Sequence, residues 1–187
     1  MGHLQKLQKD DWRAWRDHLK RASRMAHTAA VLLVLDGDRP GAVGTPGMCP
    51  GAVAQQMIAA AAETGAGVTF SLAVVIALRE VESWFVAGAE SLKGPDIDGR
   101  PGLEPTAQIP GGNLELSLRN AKGWLNYNIH RGYKPTLDQE RFAHHLDLGM
   151  VRSRGLRSFA RFENAVRQIY RALETGLHVA TPTPWAK

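Results

Sequence analysis

Apolar residues gather in two nearly continuous runs and several spaced ones. Val31 to Leu35 reads VLLVL, and Val68 to Ala77 reads VTFSLAVVIA. Runs of aliphatic and β-branched residues without alternation are expected for strands covered on both faces, the first of them at the centre of a parallel sheet. Between them lies an almost uncharged stretch, PGAVAQQMIAAAAE, which starts with a proline at Pro50 and is followed by Gly65. Proline suits a first helical turn and glycine a helix end, so this stretch predicts a buried helix. Strand, helix and strand at this spacing make one parallel crossover.

The pattern upstream has a helical period. From about Leu4 to His27, Lys6, Lys9, Arg13, Arg16, Lys20 and Arg24 fall in one stripe at 100° per residue. Leu4, Leu7, Trp12, Trp15, Leu19 and Met25 cover the opposite side. The stripe is either a solvated face or a contact for phosphate backbones, which aligned cations bind with release of counterions.

Downstream, residues 91–112 have no period and much proline and glycine, so they read as a long loop. Asn113 is expected to cap a helix through LELSLRNAKGWLNY, and Thr136 with Gln139 matches a capping box before LDQERFAHHLDL. A last helix is expected from Arg157 to Glu174, with Arg154, Arg157 and Arg161 on one face. The expected organisation is an α/β core with its N-terminal helix over residues 1–92, a loop over 93–112, a helical extension over 113–176 and a loose tail over 177–187.

Composition narrows the function classes. Hydrophobic residues make up 44% and charged residues 22%, values of a globular protein, and no run reaches the ~20 apolar residues of a membrane span. The polar start does not read as a signal peptide, and Cys49 alone cannot form an internal disulfide or a cysteine-based zinc cluster, so the cytoplasm is the expected compartment. A net charge of +5 permits a polyanionic partner.

Candidate chemistry sits where the two runs end. The first closes in Asp36-Gly37-Asp38. Alternate residues of an extended chain point the same way, so both carboxylates leave the strand tip together. At ~5 Å and an effective dielectric of ~20 they repel by about 3 kcal/mol. A proton, a basic neighbour or a hard divalent cation would offset this, although Asp-Gly-Asp is also ordinary turn chemistry. The second run is followed by LREVESWF, with Glu80 and Glu82 at the strand end or in the first turn of a short helix. Acids are favoured at a helix start by the macrodipole. Yet adjacent parallel strands carry their tips side by side, and Asp36, Asp38, Glu80 and Glu82 are expected to converge around a metal ion. The adjacent pair His144 and His145 faces two ways and is a poor chelator.

A hydrophobic strand ending in Asp-x-Asp, then a helix and a second buried strand, resembles the Toprim fold of topoisomerases, primases and the nuclease halves of overcoming-lysogenization-defect proteins. More closely, LVLDGD, CPGAVAQQM and EVESWF, with the later AKGWLNYNIHRGYKPTLDQERFAHHLDL and SFARFENAV blocks, look like a bacterial family of unknown function classed as Toprim-like. The resemblance implies a small parallel sheet with an added C-terminal helical region. It also implies a Mg²⁺ (or Mn²⁺) site with Asp36 and Asp38 as ligands and Glu82, with Glu80, as accessory acids. Toprim catalysis further uses a glutamate on a strand upstream of Asp-x-Asp, and here no glutamate precedes Glu63. Either the sequence starts downstream of that strand or the site is incomplete.

Three functions follow as expectations. One is a Mg²⁺-dependent nuclease or nicking enzyme acting on nucleic acid, in the setting of phage defence. Another is a catalytically incomplete partner protein working with an ATPase. The third, phosphoryl transfer as in haloacid-dehalogenase-like phosphatases, needs a Thr or Ser where Arg39-Pro40 stands.

Overall fold

A computed structural model describes residues 3–25, 27–37, 49–94 and 96–182. The chain is a mixed α/β structure of two compact units, Met1–Leu78 with Arg161–Lys187, and Arg79–Ala160.

The first unit holds the sheet. Strand β1, Ala30–Asp36, pairs in parallel with β2, Ser71–Ala77, in the register Ala30↔Ser71 to Asp36↔Ala77. A short third strand, β3, Ala180–Thr181, pairs in parallel with Leu72 and Ala73. The order β1-β2-β3 corrects the expectation that the first run is central. All seven residues of β2 are buried, whereas β1 is half-buried and Leu32 is 40% exposed. A continuous apolar run marks burial only when a strand has neighbours on both sides, and β1 has one among the described residues. The expected loose tail also fails at Ala180–Thr181, which the Leu72 N–H anchors by donating to the Val179 carbonyl at 2.7 Å. Residues 183–187 lie outside the described ones.

Helix α1, His3–Ser23, and helix α2, Pro50–Ala61, pack on this sheet with one another. Helix α2 starts with Pro50 in its first turn and passes through a 3₁₀ turn, Ala62–Thr64, to Gly65 at φ 85°. Glycine is required there by the left-handed backbone, as the sequence indicated. Val53, Ala54, Met57, Ile58 and Ala61 are buried against Phe70, Leu72, Val74 and Ile76. Trp15 and Leu19 of α1 join that core, and the indole of Trp15 donates to the Met57 carbonyl at 2.9 Å. A buried indole N–H needs such an acceptor.

Helix α1 departs from a straight wheel. Asp10, Asp11 and Trp12 have φ of 53°, 50° and 63°, in the left-handed region. A single 100° projection therefore does not carry from Lys6 and Lys9 across to Arg13 and beyond.

The second unit is helical. Helix α3, Glu82–Ala87, is followed by a 3₁₀ turn, Ala89–Leu92, and the expected loop. The single helix expected after Asn113 is two: α4, Leu114–Ser117, and α5, Ala121–Tyr127. Asn113 caps the first and Asn120 the second, each accepting a backbone N–H, so the second asparagine restarts what Leu118 ends. Helix α6, Pro135–His145, lacks the expected capping box, because its cap residue is Lys134 and the Gln139 side chain points elsewhere. Asp147 then caps a separate helix α7, Leu148–Ser153. Helix α8, Arg157–Thr175, starts in this unit and matches the expected last helix. Trp84 meets Phe159 edge-on at 5.5 Å, and Phe85 meets Phe142 likewise at 5.9 Å.

Candidate functional site

The Asp36 tip belongs to the first unit. Because β1 and β2 run parallel with Asp36 opposite Ala77, both strands end together, and the Gly37 N–H donates to the Ala77 carbonyl at 3.0 Å. This places the start of Asp-Gly-Asp at the carboxyl ends of two parallel strands, with Asp36 half-buried. Asp38 lies outside the described residues.

Of the basic stripe, Arg13, Lys20 and Arg24 are exposed. Arg16 is not free: its Nε lies 2.7 Å from Glu63 Oε1, tying α1 to the turn that closes α2. The side chains of Lys6 and Lys9 lie outside the described residues.

Glu80 and Glu82 belong to the second unit, and there the cation between them is a lysine. Lys122 Nζ lies 3.3 Å from Glu82 Oε2 and 3.6 Å from Glu80 Oε1, while the Lys122 backbone N–H donates to Glu80 Oε2 at 3.0 Å. Glu82 is completely buried in the first turn of α3. Its Oε1 accepts from the Tyr133 hydroxyl at 3.2 Å and from Gln139 Nε2 at 3.0 Å. Its Oε2 makes no hydrogen bond and faces Lys122 as an ion pair alone. A buried carboxylate without partners would be costly, and three donor-bearing side chains from α5, α6 and the segment between them supply the compensation. Burial, together with the Glu82 charge and the hydrogen bond to it, pushes the Tyr133 phenol far above its usual range, so it stays a donor.

Two further buried acids hold this unit together. Asp138 is fully buried, with Oδ1 accepting from Arg100 Nε at 3.0 Å and Arg141 Nη2 at 2.8 Å and Oδ2 accepting the Lys134 N–H at 2.7 Å. Burial alone would raise the Asp138 carboxyl, but the Lys134 N–H and the two arginines lower it below its ordinary value. Arg141 in turn donates to the carbonyls of Ile97, Arg100 and Pro101, fixing the aperiodic loop. Glu115, also buried, accepts the N–H groups of Ser158 at 2.7 Å and Arg157 at 2.9 Å, the first two of α8. A carboxylate there satisfies two otherwise unbonded donors and meets the positive end of the helix.

Lys122 and Tyr133 were not singled out by sequence, and Gln139 was read only as half of a capping box. They stand 40 to 57 positions from Glu82 in the chain, and no motif links any of them to it. His145, read as no ligand, faces Asp98 at 2.8 Å. Among the described residues no group of three or more His, Cys, Asp and Glu could hold a metal ion. No helix is long and apolar enough to cross a membrane among those residues.

No curated protein and no solved structure matches the chain. Residues 2–167 match the family model described as a domain of unknown function, DUF4276, and the chain belongs to that family.

Proposed function

We propose that this chain nicks or cleaves nucleic-acid phosphodiesters at the Asp36-Gly37-Asp38 tip of a Toprim-like sheet, with Mg²⁺ (or Mn²⁺) as cofactor and phage defence as the setting. The observation that supports this reading is the Gly37 to Ala77 hydrogen bond, which sets Asp36 at the carboxyl ends of β1 and β2. Open parallel sheets take their ligands in that place. The described donors by themselves do not make up a metal site, and the reading rests on Asp38 as the second ligand. When bound there, the metal would polarise the phosphate and supply a hydroxide nucleophile. The chain's own part is to hold the backbone with the exposed Arg13, Lys20 and Arg24 and to offer the Asp36 carboxylate from a fixed strand end.

The test is a plasmid-nicking assay alongside thermal unfolding with and without Mg²⁺ or Mn²⁺, for wild type, Asp36→Asn and Asp38→Asn. A native-state metal stabilises by about 2.7 kcal/mol at a hundredfold excess over Kd. Both variants should lose that shift and the nicking. Wild type with neither response overturns the proposal.

One observation favours a second reading, a non-catalytic partner of an ATPase. The charges of Glu80 and Glu82 are offset inside the chain by Lys122, which gives both acids a structural task without chemistry. On that reading nicking is absent, and the chain changes the turnover of the ATPase it binds.

A further inference from the structure

The first unit encloses a second candidate site, built from none of the acids above. β3 pairs only with Leu72 and Ala73, and beyond that register a cavity of about 480 Å³ opens beside Val74, Val75 and Ile76 of β2. The first turn of α2 and the part of α8 around Arg161 and Ala165 form its other walls. Small-molecule pockets run about 300–1,000 Å³ and are apolar with a few polar groups, which is the character found here.

The polar groups point to one sign of ligand. Among the described residues that line the cavity none is Asp or Glu, and the one charged group is Arg161. Arg161 makes no ion pair with a described residue. Its guanidinium lies over Gly51, where a Cβ would stand 3.8 and 4.0 Å from Nη2 and Nη1. The first turn of α2 offers it no acid either. Asn164 and Gln55 add amides to the lining. A guanidinium with no carboxylate partner among the described residues, next to aliphatic walls too extensive for a bare inorganic ion, calls for an anion carried on an organic body.

We propose that this cavity binds a small organic phosphate monoester, with the phosphate on Arg161 and the organic body against Val74 to Ile76, and AMP is the probe used for that class. Guanidinium and phosphate pair through a two-pronged set of charge-assisted hydrogen bonds. This site is separate from the nuclease reading and stands if that reading fails.

The test is isothermal titration of the full chain with AMP, adenosine and inorganic phosphate, repeated on Arg161→Gln and Gly51→Leu, with circular dichroism to confirm that each variant folds. Arg161 is exposed, and a Cβ at Gly51 meets only ordinary contacts. AMP should bind one to one, with adenosine and phosphate weaker by about tenfold or more, the loss expected for a charge-assisted hydrogen bond. Arg161→Gln should weaken AMP to the level of adenosine and leave adenosine unchanged. Gly51→Leu should weaken both AMP and adenosine by narrowing the space beside Arg161. The proposal is overturned if AMP produces no heat at millimolar concentration, if inorganic phosphate binds as well as AMP, or if neither variant changes AMP binding.

Discussion

The Tyr133 hydroxyl donates to Glu82 Oε1 across 3.2 Å inside the second unit, joining a buried acid of α3 to a residue 51 positions later. Glu82 thereby has a fixed orientation, with one oxygen spent on neutral donors and the other turned to Lys122.

Removing that hydroxyl with Tyr133→Phe keeps the ring and its stacking on Phe142 but takes one donor from a buried charge. The expected cost is about 1.5–3 kcal/mol, the range for hydrogen bonds to charged groups, read from urea unfolding. The same variant tests the titration. A phenol with a raised native pKa stabilises the fold below its unfolded value of 10.0, and that stability is lost as pH rises beyond it. Spectrophotometric titration of the native protein should thus be unchanged by Tyr133→Phe until alkaline unfolding begins. A phenolate step that vanishes in the variant while the protein is still folded would refute the assignment.

Asp138 gives the opposite pH limb. Its carboxyl is lowered in the fold from an ordinary 3.8, so its stabilisation is complete above that value and declines as pH falls through the lower native one. Asp138→Asn should flatten the acid side of a stability–pH profile. Asp138→Ala, which leaves Arg141 buried without its carboxylate, should cost about 3–5 kcal/mol. An acid limb identical to wild type in the asparagine variant would count against the network.

Glu115 serves as the cap of α8 from another helix. Glu115→Ala removes the acceptor for Arg157 and Ser158, and about 1–3 kcal/mol of stability should go with it. Loss of amide protection in the first turn of α8, seen by hydrogen exchange, would locate the damage. Unchanged protection there would mean that water caps the helix as well.

For nucleic-acid binding, Arg13→Gln and Lys20→Gln should each lower the salt dependence of affinity by about one phosphate contact, measured by fluorescence anisotropy. Arg16→Gln should do less, because its guanidinium is already committed to Glu63. Equal effects from all three would show that the Glu63 pair opens on binding.

Local signals in the sequence located most of the secondary structure. Pro50 and Gly65 bracketed α2, and Asn113 marked the start of α4, because proline, glycine and asparagine act on the backbone within a few residues. The rank of the strands was not legible. VLLVL is as apolar as the middle strand, and only the pairing of β2 with Ala180 shows which of the two is flanked twice. Glu80 and Glu82 stood out as acids, but their counter-charge did not, since Lys122 is one of seven lysines until the chain folds it against them. A carboxylate in a sequence announces that charge must be balanced without saying by what.

The pairing of Leu72 with Ala180 also sets a schedule for synthesis. Helix α2 and the β1–β2 pair can form as soon as residue 77 has cleared the ribosome, but the second side of β2 has no partner for another hundred residues. During that interval an apolar strand presents a bare edge, the state most prone to pairing with another nascent chain. A ribosome-bound intermediate stalled before Ala180 should therefore recruit chaperones, and release that demand once the strand is complete.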